Sequence, residues 1–146
     1  MEGFFLTKSV IPAPIVEAHR SALYWVNREP PFALHVDAPS NELDRLLRSN
    51  GVSSAEFLTA WNPYGVEASP EKNASANAEM VGQLMSAGKQ VVAGFGVAED
   101  GSAPGEESVL ALDLSLDEAR QIGTHFKQNA IVWIGEDAVP RLILVR

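Results

Sequence analysis

Glu106 and Ser108, two residues apart in "GEESVLALDL", head a row that continues through Leu110, Leu112 and Leu114. On a strand this spacing puts all five side chains on one face and turns Glu107 to the other. A carboxylate continuing a leucine row at a strand's mouth is partly desolvated. Its pKa then rises toward the range useful to a general acid or base. Glu106 is therefore the candidate catalytic residue, suited to hydrolysis or group transfer, unless the strand start frays and leaves it in solvent.

Uncharged amides form the second group. "EFLTAWNPYG" at residues 56–65 starts as a buried strand and ends at Trp61-Asn62-Pro63. A helix capped by Ser69 follows, so this corner sits at a strand's C-terminal rim, facing a helix N-terminus, where ligands bind in open sheets. Equally, Asn62 can satisfy its own turn while Pro63 fixes the bend. Asn73 and Asn77 lie four apart on one helical face, in line with a stripe of Asn77, Val81 and Leu84 flanked by Ala74, Ala78 and Met85. An amide on a core-facing stripe costs ~1–3 kcal/mol unless bonded. These amides must meet polar partners, with Asn62 at the neighbouring rim a candidate, either as a network bracing the turn or as the lining of a pocket. Gln128 and Asn129 close a second corner; Asn129 suits a helix stop, whereas Gln128 has no such local role. The expected binding set is Trp61, Asn62, Asn73, Asn77, Ser108, Gln128 and Asn129 around Glu106. Amides, one acid and an indole suit a neutral or cationic polar small molecule, nucleoside-like or sugar-like.

Other chemistries are excluded or disfavoured. The chain has no cysteine, so thiol catalysis and disulfides are out and a reducing cytoplasm is the expected compartment. His19, His35 and His125 lack ligand spacing, so no metal is expected, and His125 reads as a helix-flank residue. No phosphate-binding glycine loop, nucleophile elbow or zinc-binding HExxH motif occurs, and no cofactor is expected. With 11 basic against 19 acidic residues, net −8, no basic stripe for nucleic acid is visible. No apolar run reaches the ~20 residues of a membrane helix, and the N-terminus does not read as a signal peptide.

The positioning elements follow from periodicity. At 146 residues with 46% hydrophobic content the chain suits one domain with its own core, with residues 1–14 as an N-terminal extension. "IVEAHRSALYWV" opens helical and ends as a strand, "FALHVD" is a short strand, and Ser40 caps a helix bearing Leu43, Leu46 and Leu47. The strand from Ala55 to Trp61 and the helix from Pro70 to Gly88 come next. "KQVVAGFGVA" and "EESVLALDL" are strands, a capping box of Ser115 and Glu118 opens another helix, and "AIVWIG" and "RLILV" form a closing hairpin. The expected class is α+β, α/β-like: one mixed, partly antiparallel sheet of about five to seven strands with about three helices packed on it.

"FLTAWNPYG", "SPEKNASANAEMVGQL", "EESVLAL" and "HFKQNAIVWI" together resemble the uncharacterised bacterial family named domain of unknown function 3293, over about residues 20 to 145. The resemblance implies a shared fold and one common site for the polar corners, and no named activity. Two departures stand out: no aromatic residue precedes the glutamate in "GSAPGEES", and Lys127 stands where the family tends to have glycine. The rival expectation is a non-catalytic interaction module or homodimer, with structural amides and a docking edge such as "RLILVR".

Overall fold

A computed structural model of the protein describes residues 9–101 and 105–146. Residues 1–8 of the expected extension, and 102–104 before the glutamate, lie outside the described residues. The elements run α1 (Ala13–Ser21), β1 (Leu23–Val26), β2 (Phe32–Leu34), α2 (Asn41–Ser49), β3 (Ala55–Leu58), a 3-10 turn (Pro63–Gly65), α3 (Pro70–Ser86), β4 (Val91–Val97), β5 (Glu106–Leu112), α4 (Leu116–His125), β6 (Ala130–Ile134) and β7 (Pro140–Leu144).

The caps act where the sequence puts them. Ser40 Oγ accepts from the Leu43 N–H, Ser69 Oγ from Lys72, and Ser115 and Glu118 form a reciprocal capping box. Gly88, at φ 80°, ends α3 in a conformation costly for any residue with a Cβ.

Seven strands form one sheet in the order β2-β1-β4-β5-β3-β6-β7. The fold is α+β, at the antiparallel limit of the expectation: all six pairings are antiparallel. The helix after β3 leads to β4, two places away in the sheet, so no parallel neighbour pair arises.

One face carries α2. There Leu43, Leu46 and Leu47 pack on Tyr24, Val26, Leu34, Phe57, Leu110, Leu112, Val132 and Ile134. The other face carries α3 and α4, where Met80, Leu84 and Phe126 meet Leu58, Val109 and Ala111. Leu114 belongs to this second cluster, not to the Leu110–Leu112 row, because β5 ends at Leu112 and Asp113 turns at φ 67°.

Two details depart from expectation. β3 stops at Leu58 rather than Trp61 because side chains take over its ladder: Asn77 Oδ1 accepts the Ala60 N–H at 2.7 Å and Thr59 Oγ1 that of Trp61 at 3.1 Å. α3 is rotated from the expected stripe. Asn73, Met80 and Leu84 are buried and Asn77 half-buried, whereas Ala74 and Ala78 face outward and Met85 is 61% exposed. Positions 73, 77, 80 and 84 keep helical spacing; the anchoring of Asn73 sets the rotation.

Candidate functional site

Asn62 takes left-handed backbone at φ 46°, followed by Tyr64 at φ 56°, angles that asparagine tolerates better than most residues. Its peptide N–H donates to Asn73 Oδ1, and Asn73 Nδ2 donates back to Asn62 Oδ1, both at 2.8 Å. Asn62 Oδ1 also accepts the Ala68 N–H at 3.0 Å. Asn77 bridges two strands, accepting from Ala60 and donating through Nδ2 to the Glu107 carbonyl at 2.9 Å. Three carboxamides thus fasten α3 to the end of β3 and the start of β5.

The second corner is stitched to the first. Lys127, left-handed at φ 57°, offers its carbonyl to the Tyr64 N–H at 2.6 Å. Gln128 Nε2 donates to the Phe126 carbonyl at 3.2 Å and reaches the Trp61 carbonyl at 3.4 Å. Asn129 Oδ1 accepts from Arg146 at 2.8 Å, and that guanidinium lies 4.3 Å from the Tyr64 ring centroid. This explains the ending of "EFLTAWNPYG": asparagine closes the turn in left-handed geometry while its amide fixes the next helix. The half-buried indole of Trp61 lines no cavity with Glu106.

On the other face, strand alternation sends Glu106 and Ser108 toward Tyr24. Together with Thr59, Gly96, Gln128 and His19 they line a small cavity of about 50 Å³, walled by Phe57, Val132 and Leu142. Glu106 and His19 are partly exposed and stand where it meets solvent. A Cβ on Gly96 would lie 3.9 Å from both Ser108 Oγ and Tyr24 Cδ1, so glycine leaves this space open. Burial alone pushes the Glu106 carboxyl above the usual carboxylate range, and among the described residues no donor bonds to it. Burial, with Glu106 nearby, raises the Tyr24 phenol, and burial lowers His19.

The structure therefore brings Glu106, Ser108 and Gln128 to one cavity. It sets Asn62, Asn73 and Asn77 on the opposite face, and Asn129 at the C-terminal strand. Thr59, just beyond β3, lines the cavity, and its hydroxyl donates to the Glu107 carbonyl at 2.6 Å. Among the described residues no cluster of three metal-ligating side chains occurs, and no helix is long and apolar enough to cross a membrane.

A family model described as "Protein of unknown function (DUF3293)" matches residues 58–131, half of the chain. The chain belongs to the DUF3293 family. No curated protein and no solved structure matches it. In this DUF3293 protein the matched stretch holds both corners, all three α3-linked amides, Glu106 and Ser108, but ends short of His19, Tyr24 and Glu56.

Glu56 is the residue that sequence reading passed over. It is fully buried in β3, with both carboxyl oxygens lacking a hydrogen-bond partner. Its register neighbours are Ala111 and Trp133, and the Trp133 indole donates instead to the Leu114 carbonyl. Burial alone raises its pKa well above the carboxylate range. The available signal was its place in a central strand, covered on both faces.

Proposed function

We propose that this DUF3293 protein binds a polar small molecule at the Glu106 cavity. The observation that carries the reading is a half-buried carboxyl group, bonded by no donor among the described residues, at the mouth of a cavity with mainly apolar walls. A carboxyl partly withdrawn from water gains from a bonded partner, and a polar group of a ligand entering the cavity would supply one. A water needs roughly 10–15 Å³ by this measure, so about 50 Å³ takes one polar group. A whole nucleoside or sugar does not fit, and the rest of a larger ligand would lie outside.

Binding is better supported than catalysis. Ser108 Oγ donates to the Glu106 main-chain carbonyl at 3.0 Å, so no nucleophile–base pair is assembled. Were a proton transfer to occur there, Glu106 is the group placed to perform it. In the same reading Asn62, Asn73, Asn77 and Asn129, with Trp61, position the walls rather than touch the ligand.

Gly96→Val tests this, because its side chain fills the cavity. In a thermal-shift screen of amines, amides, sugars and nucleosides, a ligand should raise the melting temperature of the wild type and not of the variant. Equal shifts in both would refute the reading.

A second reading has its own observation. Trp25 and Phe95, paired across β1 and β4, are 37% and 38% exposed. They stand near a groove lined by Ala74, Ala78, Gly82 and Phe95, a surface suited to docking another chain. Sedimentation of the wild type against Trp25→Ser distinguishes it: a dimer lost in the variant supports docking, and a monomer throughout removes self-association.

A further inference from the structure

We propose that the Glu106 cavity selects a small organic cation, a primary ammonium group, over neutral polar groups. The inference deepens the binding reading and rests on it. The donors and acceptors of the lining residues carry it.

The Tyr24 hydroxyl donates to the His19 carbonyl. The Ser108 hydroxyl donates to the Glu106 carbonyl and the Thr59 hydroxyl to that of Glu107. The Gln128 amide nitrogen is shared between the Trp61 and Phe126 carbonyls. Among the described residues every side-chain donor of the lining except the His19 ring is thus committed to backbone. What remains is acceptors: the Glu106 carboxyl, the Gln128 amide oxygen and hydroxyl lone pairs. A guest must bring donors, and an ammonium brings three.

Charge and shape agree. Among the described residues no lysine or arginine lines the cavity, and the lowered His19 pKa favours the neutral imidazole, so none of these supplies a competing cation. Tyr24 and Phe57, edge to face with ring centroids 5.2 Å apart, wall the space without bringing a charge. The chain's net −8 favours cation approach. At about 50 Å³ the space suits one ammonium with a short carbon stem.

The test is a two-dimensional amide NMR titration of the full chain with methylammonium chloride, acetamide and potassium chloride. Saturable shifts of Gly96, Ser108 and Gln128 with methylammonium alone are expected, with affinity lowered about tenfold or more in Glu106→Gln. Gly96→Val should abolish them, and serves if Glu106→Gln does not fold. Equal methylammonium affinity in Glu106→Gln, or an equal response to potassium, would overturn the ammonium assignment. Acetamide binding without methylammonium would also overturn it, yet leave the cavity reading standing. No response to any of the three would remove both.

Discussion

The two faces of β3 and β5 treat polar side chains in opposite ways. On the α3 side, Asn62 and Asn73 bond to each other, and Asn77 bonds to the ends of two strands. On the α2 side, Glu106 faces space with no donor. Saturated amides are what a structural network requires, since a half-satisfied one is worse than an apolar core. An unsatisfied acid beside a cavity is what a binding site leaves for its guest. Glu56 sharpens the contrast: it too lacks partners, but it lines neither the Glu106 cavity nor the α3 groove. Lack of a partner together with room marks a candidate site; lack of a partner alone marks a weak point in the core.

The largest effect is expected on the saturated side. Asn73→Ala removes the Asn62 contacts and leaves a buried N–H unpaired, and should destabilise the protein by about 2–4 kcal/mol in urea denaturation. A loss below about 0.5 kcal/mol would erase the distinction between the faces.

Glu56→Met, which removes a buried orphan acid, should stabilise by about 1–3 kcal/mol at neutral pH. The sign of the pH dependence follows from the raised pKa. The folded state holds this proton more tightly than the unfolded one, so the contribution of Glu56 to stability is most favourable below the unfolded value of 4.5. It falls as pH rises toward the folded value, by at most about 1.4 kcal/mol per pH unit per proton. Glu106 is shifted in the same direction and adds to the slope. Glu56→Met should flatten the slope measured from pH 5 to 8, and an unchanged slope would mean that Glu56 finds a partner in solution.

The smallest effect concerns the stitched corner. Lys127 holds a left-handed backbone at φ 57°, so Lys127→Gly should stabilise by roughly 0.5–1 kcal/mol. A loss of stability would show that the lysine side chain contributes there.

Much of the fold was legible because it is local. Caps at Ser40, Ser69 and Ser115, and the alternation from Glu106 to Leu112, depend on near neighbours. The need for partners at Asn73 and Asn77 was also legible, since burial of an amide demands them. Asn62 was legible as a candidate partner, and it is the one Asn73 takes; the contacts of Asn77 with Ala60 and the Glu107 carbonyl were not, because they depend on the rotation of α3. Tyr24, His19 and Gly96 escaped notice as cavity residues for the same reason: their placement rests on the order β1-β4-β5, a long-range outcome. Glu56 was hidden by its neighbours: the run reads as a buried strand from its apolar members, and only the order β5-β3-β6 shows that the acid too is covered.

The most direct measurement is a competition between the two faces within one protein. Amide shifts are recorded for the wild type as the ligand found by thermal shift is added. The account predicts saturable changes at Tyr24, Gly96, Ser108 and Gln128, with Ala74, Ala78 and Gly82 unmoved. Changes confined to the α3 groove, with the Glu106 cavity silent, would contradict it.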